Sequence, residues 1–359
     1  MKKVAWVAIL WLMVSLLVTG CSRDTKEETE EEELVNLDIR VALSDVASSR
    51  SQFEIEDAMP ENDNEKMQTL RVIVVRENGV VEKNSLINLK AAAIEYEHEP
   101  IQVVSREKKW IYLFVNEKNT KVKRENETEL LALNTYLNSI KEGKDFPTSE
   151  ISSLIIHLDN ARQQLEGALP MNECHCINVG KKDSSYNLFV TRAAVKFSFR
   201  ITNNGTSDSK LTDVKINKMA SREYYLPRNA TYKDEKIAGK TYRAITNYDV
   251  PANLNYYTHE KRYDAPIPLP SKKGGSEPKE IRLPPIYLLE GKYEEEEKYS
   301  ISIKVNGAEL TGTLPNLPYR LPRNTHVVVN IKLNDLHLES ITVDVEPYRE
   351  VILDPDFGF

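Results

Sequence analysis

Apolar and polar residues alternate along several short stretches of this chain, which is the period of a strand with one buried face. The first stretch is residues 35–43, and its apolar positions on one face are Val35, Leu37, Ile39, Val41 and Leu43. Further strands are predicted at residues 70–75, 80–81, 101–104, 110–115, 187–202, 211–216, 286–289, 299–305, 308–313, 326–333 and 340–345. Many short strands separated by turns predict a mainly β protein.

Two stretches place their apolar residues at helical spacing instead. Residues 127–141 repeat leucines and other apolar residues three and four positions apart, and Gly143 follows as a stop signal. Residues 149–167 form a second such stretch. We predict a helix in each, both packed on one sheet. Between the strands at 70–75 and 80–81, Asn78-Gly79 predicts a tight hairpin.

The segments between these elements predict loops and a division into domains. Residues 44–67 are polar and contain Arg50 followed by Ser51, a bond that a trypsin-like protease would find in an exposed loop. Residues 218–285 are rich in Tyr and Pro without a periodic run, which predicts long loops. The polar residues 180–186 predict a boundary, giving an N-terminal domain of strands with one or two helices at 35–183 and a C-terminal β-sandwich domain at 184–359.

The N-terminus has the pattern of a secretory signal peptide. Two lysines precede an apolar run over residues 4–18, and Thr19-Gly20-Cys21 follows. The run is shorter than the ~20 residues that span a bilayer, so a signal peptide over residues 1–20 is favoured over a membrane anchor. The small Gly20 before a thiol resembles the lipobox of bacterial lipoproteins, in which Cys21 is lipidated. The acidic residues 21–34 would then be a tether.

Composition excludes some classes of function. The chain has 359 residues, with 48 Lys and Arg against 55 Asp and Glu, and the net charge of -7 argues against a nucleic-acid partner. After Cys21 only Cys174 and Cys176 remain, so no disulfide framework is predicted. With His175 they could ligate zinc, but no second ligand pair stands at a suitable spacing. We predict no metal there, and either a plain loop or a redox-labile pair.

No catalytic or cofactor signature is present in the sequence. The Gly-x-Ser-x-Gly elbow and phosphate-binding glycine loops are absent, so we predict that the protein is not an enzyme and has no cofactor. One segment is unusually aromatic, with Tyr224, Tyr225, Tyr232, Tyr242, Tyr248, Tyr256, Tyr257 and Tyr263. Such tyrosines either bind a ligand from loops or pack those loops on the domain, and packing is favoured.

The layout of the chain resembles the fimbrillins, the type V pilins of the Bacteroidota. The resemblance rests on the lipobox at Cys21, on the strand at 35–43 followed by Ser48-Ser49-Arg50, and on the closing strands with the tail at 349–359. It implies two tandem transthyretin-like β-sandwich domains, exported as a lipoprotein to the outer membrane and the cell surface. A signal peptidase of lipoprotein type and an Arg-specific surface protease would be its processing partners.

The resemblance also implies a mechanism of assembly. Cleavage between Arg50 and Ser51 would remove the strand of Val35, Leu37, Ile39, Val41 and Leu43 and open a groove. The C-terminal strand of a neighbouring fimbrial subunit would fill that groove, and in this chain such a donor would carry Val351, Leu353 and Phe357. The tail could instead form the last strand of its own domain. Arg40 is a competing cleavage site, but it lies within the strand pattern.

These predictions lead to one preferred function and several alternatives. The preferred function is a structural or adhesive subunit of a surface fimbrium, at the stalk or the tip. One alternative is a fimbrial anchor that keeps its lipid, and another is a surface glycan-binding lipoprotein that uses its tyrosines. A hydrolase is disfavoured because no set of acid and base residues can be named.

Overall fold

The structure is a computed structural model that describes residues 33–44, 62–125, 127–237, 240–252, 254–272, 277–293, 297–335 and 337–346. The predictions for Cys21, Arg50 and Ser51, and for the tail residues Val351, Leu353 and Phe357, lie outside these ranges. Within them the chain is mainly β, as predicted.

The strands alternate with short turns along the described residues. In chain order they are β1 (Leu34–Leu43), β2 (Met67–Arg76), β3 (Val81–Ala93), β4 (Glu95–Glu97), β5 (Ile101–Val104), β6 (Lys108–Val115), β7 (Lys121–Arg124), β8 (Leu131–Ala132), β9 (Leu154–His157), β10 (Met171–Asn178), β11 (Ser184–Arg192), β12 (Val195–Asn203), β13 (Ser209–Ala220), β14 (Arg222–Tyr224), β15 (Thr231–Ile237), β16 (Lys240–Asn247), β17 (Tyr256–Leu269), β18 (Glu280–Arg282), β19 (Ile286–Leu288), β20 (Gly291–Lys292), β21 (Ser300–Val305), β22 (Ala308–Thr313), β23 (Arg320–Leu321), β24 (Thr325–Asn334) and β25 (His337–Glu346). The helices are α1 (Leu133–Ser139) and α2 (Thr148–Ser153).

The first sheet folds over itself to enclose a core. Its strand order is β3-β2-β6-β10-β11-β1-β4, and β5 also pairs with β1. Strands β2 and β1 are far apart in this order, yet Val72 and Val74 of β2 share one apolar cluster with Leu37 and Ile39 of β1. The corner lies at β10 and β11, which pair only through residues 171–172 and 191–192. These elements therefore form a β-sandwich, the first lobe.

A second sandwich, the second lobe, is built from the strands after residue 194. One sheet has the order β18-β12-β24-β25 with β19 also on β12, and the other has the order β22-β21-β13-β20-β23 with β17 also on β13. Their inner faces bury a cluster that includes Phe197, Phe199, Val329 and Ile303. Strand β12 pairs in parallel with β24, with Val195 opposite Thr325.

The helices pack on the outer face of the first sheet, as predicted. Leu133 and Leu137 of α1 and Ile151 of α2 join a third cluster that contains Ile73 and Phe114 from β2 and β6. A small sheet of order β14-β9-β7-β8 covers the same side. Because β14 lies in the second half of the chain, this layer also connects the two lobes.

The predicted helices were too long, and the second was largely wrong. The helix at 127–141 is reduced to α1, and that at 149–167 ends at Ser153 and continues as β9. Residues Leu154, Ile155 and Ile156 are all buried, and β9 pairs with β14 on one side and β7 on the other. An apolar run buried on both faces fits a strand as well as a helix, and tertiary pairing decided the outcome.

The predicted long loops over residues 218–285 were also wrong. This segment contains strands from β14 to β18, and β17 alone spans Tyr256–Leu269. The strand was not predicted from the sequence because Pro266 and Pro268 lie within it. Among the described residues β17 pairs only with β13, and a proline is tolerated on an edge strand because its missing N–H is not needed there.

The strand predicted at residues 187–202 is divided between the two sandwiches. Strand β11 lies in the first sheet and β12 in the second lobe, with the fully buried Ala193 and Ala194 between them. The domain division at residues 183 and 184 stays a prediction, and the change from one sheet to the next falls after Arg192. The hairpin at Asn78-Gly79 is confirmed: the Arg76 N–H donates to the Val80 carbonyl at 2.9 Å, and Gly79 has φ of 87°.

Among the described residues no helix is both long enough and apolar enough to cross a membrane.

Candidate functional site: the first strand and its groove

Strand β1 is the first of the described strands, yet it lies inside the first sheet. On one side it pairs in parallel with β11, from Leu37 opposite Ser184 to Leu43 opposite Val190. On the other side it pairs with β4, where Val41 lies opposite Tyr96, and with β5. Removal of β1 would therefore expose two rows of backbone groups at once.

The inner face of β1 carries the apolar residues that the sequence predicted as a removable strand. Leu37, Ile39, Val41 and Leu43 are completely buried and Val35 is 6% exposed. They contact side chains of β2, β5, β6, β10 and β11 in the core of the first lobe. At ~2 kcal/mol for each buried aliphatic side chain, this face contributes on the order of 10 kcal/mol to holding β1. Without β1 an apolar groove would remain.

The outer face of β1 makes a small set of polar contacts. The Arg40 guanidinium pairs with the Glu95 carboxylate of β4 at 2.6 Å, and both side chains are about half exposed. At the start of the strand, the backbone N–H of Asn36 donates to the Asp183 carboxylate at 2.8 Å and its side-chain amide donates at 3.1 Å. The backbone donor lowers the pKa of Asp183. These contacts fix the register of β1 at both walls of the groove.

The C-terminal end of β1 is attached to the second lobe. Ser44 is fully buried, and its hydroxyl accepts a hydrogen bond from the side-chain amide of Asn324 at 2.9 Å. Asn324 stands immediately before β24 and has a left-handed φ of 61°. Ser44, the last described residue before the stretch that carries Arg50, is thus held at the junction of the two lobes.

Strand β11, one wall of the groove, is supported from outside by the hairpin of β15 and β16. The Tyr232 ring of this hairpin contacts the Phe189 ring of β11 edge-on, with centroids 5.2 Å apart. Its hydroxyl donates to the Glu173 carboxylate of β10 at 2.5 Å. His175 is within hydrogen-bonding distance of the Phe189 carbonyl at 2.7 Å. The hairpin and β10 together hold β11 independently of β1.

Burial shifts the titration of two groups beside this wall. It raises the pKa of Glu173 to about 7, although hydrogen bonds from Tyr232, the Cys174 N–H and Thr191 partly oppose the shift. It also lowers the pKa of His175 from its ordinary value. Burial thus favours the neutral form of both groups, because a buried charge loses its hydration.

The two cysteines that the sequence singled out lie on a strand of the first sheet. Cys174 and Cys176 lie two positions apart on β10 as free cysteines, not in a loop, with Cys174 half-buried and Cys176 exposed. Burial raises the pKa of the Cys174 thiol to about 12. Within the described ranges no cluster of three His, Cys, Asp or Glu residues could hold a metal ion.

The aromatic segment serves mainly to pack the fold, as the preferred interpretation predicted. Tyr224, Tyr225 and Tyr248 are buried, and Tyr256 is half-buried with its hydroxyl donating to Glu290 at 2.9 Å. The Tyr248 ring lies under the Arg320 guanidinium at 4.3 Å. These rings form part of the contact between the lobes, so they are not free for a ligand.

Sequence reasoning missed the residues that hold β1 from outside. Asp183, Glu95 and Asn324 each come from a segment distant in the chain, and none of them belongs to a local motif. The predicted strand residues of β1 were placed correctly in a strand, while their removal stays a prediction. Arg40, the competing cleavage site, lies within β1 as expected.

Comparison with known proteins gives a likeness in fold. No family model and no curated protein matches the chain. A crystal structure of a candidate cell adhesion protein from Parabacteroides distasonis matches with a TM-score of 0.54 at 12% identity, covering 89% of this chain and 98% of that one. The tip fimbrial protein Mfa3 from Porphyromonas gingivalis, with C-terminal truncation, gives a TM-score of 0.49 at 12% identity, covering 87% and 98%.

A third structure, of a candidate cell adhesion protein from Bacteroides eggerthii, gives a TM-score of 0.47 at 13% identity, with 88% and 96% of the chains covered. The likeness in fold rests on the first of the three, whose match extends over nearly the whole of both chains. The predicted resemblance to the fimbrillins is confirmed at the level of fold.

Proposed function

We propose that this protein is a structural or adhesive subunit of a surface fimbrium whose first strand is removed and replaced by a strand of a neighbouring subunit. The observation that carries the proposal is the position of β1. It is an inner strand, yet a single stretch, residues 45–61, joins it to the rest of the sheet. One cut in that stretch, after Arg50, separates β1 from every other strand.

The groove that β1 leaves would bind an extended peptide by strand addition. An incoming strand would run parallel to β11 and antiparallel to β4, because those are the directions of the present pairs. It would need apolar side chains at alternate positions to fill the sites of Leu37, Ile39 and Val41. The tail that carries Val351, Leu353 and Phe357 has such residues and is our candidate donor.

The remaining steps are those that the resemblance to the fimbrillins implies. Export through the leader and lipidation of Cys21 would bring the chain to the outer membrane, and an Arg-specific surface protease would release β1 together with the lipid. The subunit would then be free of the membrane and able to join others, as a stalk or tip subunit must. Its likeness in fold to a candidate cell adhesion protein supports this setting.

The test compares full-length chains in assembly. Arg50→Ala should prevent cleavage in the loop and leave the protein monomeric, while wild-type protein treated with an Arg-specific protease should start at Ser51 and form polymers. Arg40→Ala is the matched control, because Arg40 is the competing site and lies in a strand. Polymers of Arg50→Ala protein that still contains β1 would contradict the proposal.

N-terminal sequencing of cell-surface protein separates the alternatives. A mature chain that retains a lipidated Cys21 would identify a fimbrial anchor instead of a polymerising subunit. The glycan-binding alternative loses part of its support, because Tyr224, Tyr225 and Tyr248 of the aromatic segment are buried in the fold.

A further inference from the structure

A buried ion pair attaches the first residues after the loop to the second lobe. Glu65 lies in a short 3-10 turn, Asp63–Glu65, just before β2. Its carboxylate meets the Lys196 ammonium of β12 at 2.8 Å, and both side chains are completely buried. The Tyr287 hydroxyl of β19 donates to the same carboxylate at 2.6 Å. Lys196 and Tyr287 are direct neighbours across β12 and β19.

The backbone of this turn is held as firmly as its side chain. The buried Arg192 donates from its Nε to the Glu65 carbonyl at 2.9 Å. The Leu169 N–H donates to the Asn64 carbonyl at 2.8 Å. The side-chain amide of Asn62 donates to the Tyr287 hydroxyl at 3.1 Å. We call the set of Glu65, Lys196, Tyr287 and Arg192 the junction clamp.

The same group of residues extends to the end of β1. Arg192 donates from Nη1 to the side-chain oxygen of Asn324 at 3.0 Å, and Asn324 donates to Ser44. Both ends of the stretch 45–61 are thus fixed on the second lobe. The two attachments are unequal, because Ser44 is held there through a neutral hydrogen bond and Glu65 through a buried charge pair with several donors.

Lys66, the next basic residue after the proposed cleavage site at Arg50, directly follows Glu65 of the clamp. Between Arg50 and Lys66 the sequence contains no Lys or Arg. The Lys66 side chain is only 15% exposed and pairs with Asp63 at 2.9 Å, and its carbonyl accepts from the Asn116 amide at 3.0 Å. Met67, on the other side of that peptide bond, is completely buried. A protease could cut there only after the turn had opened.

We propose that the junction clamp holds the start of the cut chain in place: it keeps the turn before β2 closed to proteases and keeps that turn on the second lobe when β1 leaves. This inference rests on the proposed function, since it concerns the product of the same cut. Glu65 and Lys196 act as positioning residues. Without them the chain before β2 would detach, and cleavage would proceed to the edge of the groove itself.

The effect of breaking the clamp follows from its burial. Lys196→Met removes the cation and leaves the Glu65 carboxylate buried beside an apolar side chain, which strongly favours opening of the turn. When opening is fast relative to cleavage, the rate of cleavage follows the fraction of open molecules. We expect cleavage after Lys66 to rise by at least about tenfold. Tyr287→Phe removes only one donor and should give a smaller rise, about threefold.

The experiment uses limited trypsin digestion of the full chain, with mass spectrometry of the products. Trypsin is the probe because it cuts after both Arg50 and Lys66. In the wild type we expect rapid cleavage after Arg50 and a stable product whose bond after Lys66 is intact. Lys109→Met is the matched control, since it removes another fully buried ammonium from its carboxylate partner, Glu82, and Lys109 lies opposite Arg76 at the far end of β2 from the turn.

The variants are compared at equal global stability. Each is digested at a urea concentration that lies below its own unfolding midpoint by the same amount. Faster cleavage after Lys66 in Lys196→Met than in Lys109→Met supports the clamp. Equal rates in the two variants, or rapid cleavage after Lys66 in the wild type, would overturn it. Neither result depends on polymerisation. A product that starts at Ser51 and does not assemble would count against the proposed function alone.

Discussion

Leu37 gives the most direct test of how strongly β1 is held. Its side chain is completely buried in the core of the first lobe, on the strand that the proposed cleavage would release. Leu37→Ala removes three carbons from a site enclosed by neighbouring strands and leaves a cavity. For substitutions of this kind the free energy of unfolding falls by about 3 kcal/mol, and the exact loss depends on how far the site collapses.

Leu34 provides a control within the same strand. It is also a leucine, but it is 56% exposed at the beginning of β1. Leu34→Ala should change the free energy of unfolding by less than about 0.5 kcal/mol. Urea unfolding of the three uncut proteins, followed by circular dichroism, measures both differences in the free energy of unfolding. The free energy should fall with urea concentration at the same slope in all three proteins.

The same pair of variants also tests whether β1 leaves. In protein cut after Arg50 and not separated from the N-terminal fragment, release of β1 would take Leu37 with it, so Leu37→Ala and wild type should have equal stability. A loss of about 3 kcal/mol that persists after cutting would show that β1 stays in place. Equal effects of Leu37→Ala and Leu34→Ala in the uncut chain would refute the assignment of the buried face.

Three further predictions concern charge, pH and thiol chemistry. Arg40→Glu should lower the free energy of unfolding in urea by less than about 1 kcal/mol, because the Arg40–Glu95 pair is half exposed. Adding Glu95→Arg should restore part of that free energy. The raised pKa of Glu173, about 7 against an ordinary 4.5, means that the folded state keeps a proton which the unfolded chain releases. Stability should therefore fall as the pH rises from 4.5 to about 7, and Glu173→Gln should flatten that slope in unfolding measured across this range. Iodoacetamide should label the exposed Cys176 well before Cys174, whose thiol is half-buried with a raised pKa, and peptide mapping would show the reverse order if β10 were misplaced.

The strands of the fold could be predicted from local patterns because each has a buried face. The predicted strands at residues 101–104 and 308–313 coincide with β5 and β22, and that at 70–75 lies within β2. The errors arose where the pattern was ambiguous. The buried run at Leu154, Ile155 and Ile156 fits helix and strand equally, and its pairing with β14 and β7 is not encoded nearby.

The sequence predicted only part of the candidate site. Alternation identified the inner face of β1, but it gave no partner for the strand, since Leu37 pairs with Ser184 across most of the first lobe's sequence. The junction clamp was missed for the same reason. Glu65 looked like one more acidic residue of a polar loop, and only the fold brings Lys196 to 2.8 Å from it in a buried position.

The two faces of β1 differ in how they affect a bound strand: the inner face determines how tightly it binds, and the outer contacts affect which strand binds. The inner face supplies most of the binding free energy, on the order of 10 kcal/mol, through side chains that any alternating apolar strand could imitate. The outer contacts, Arg40 with Glu95 and Asn36 with Asp183, are exposed and contribute little to affinity. Exposed charges of this kind still discriminate, because a strand that places an acid opposite Glu95 meets repulsion. Apolar burial would therefore decide whether a strand can replace β1, and the acidic residues at the two walls would add a bias of less than about 1 kcal/mol among the strands that fit.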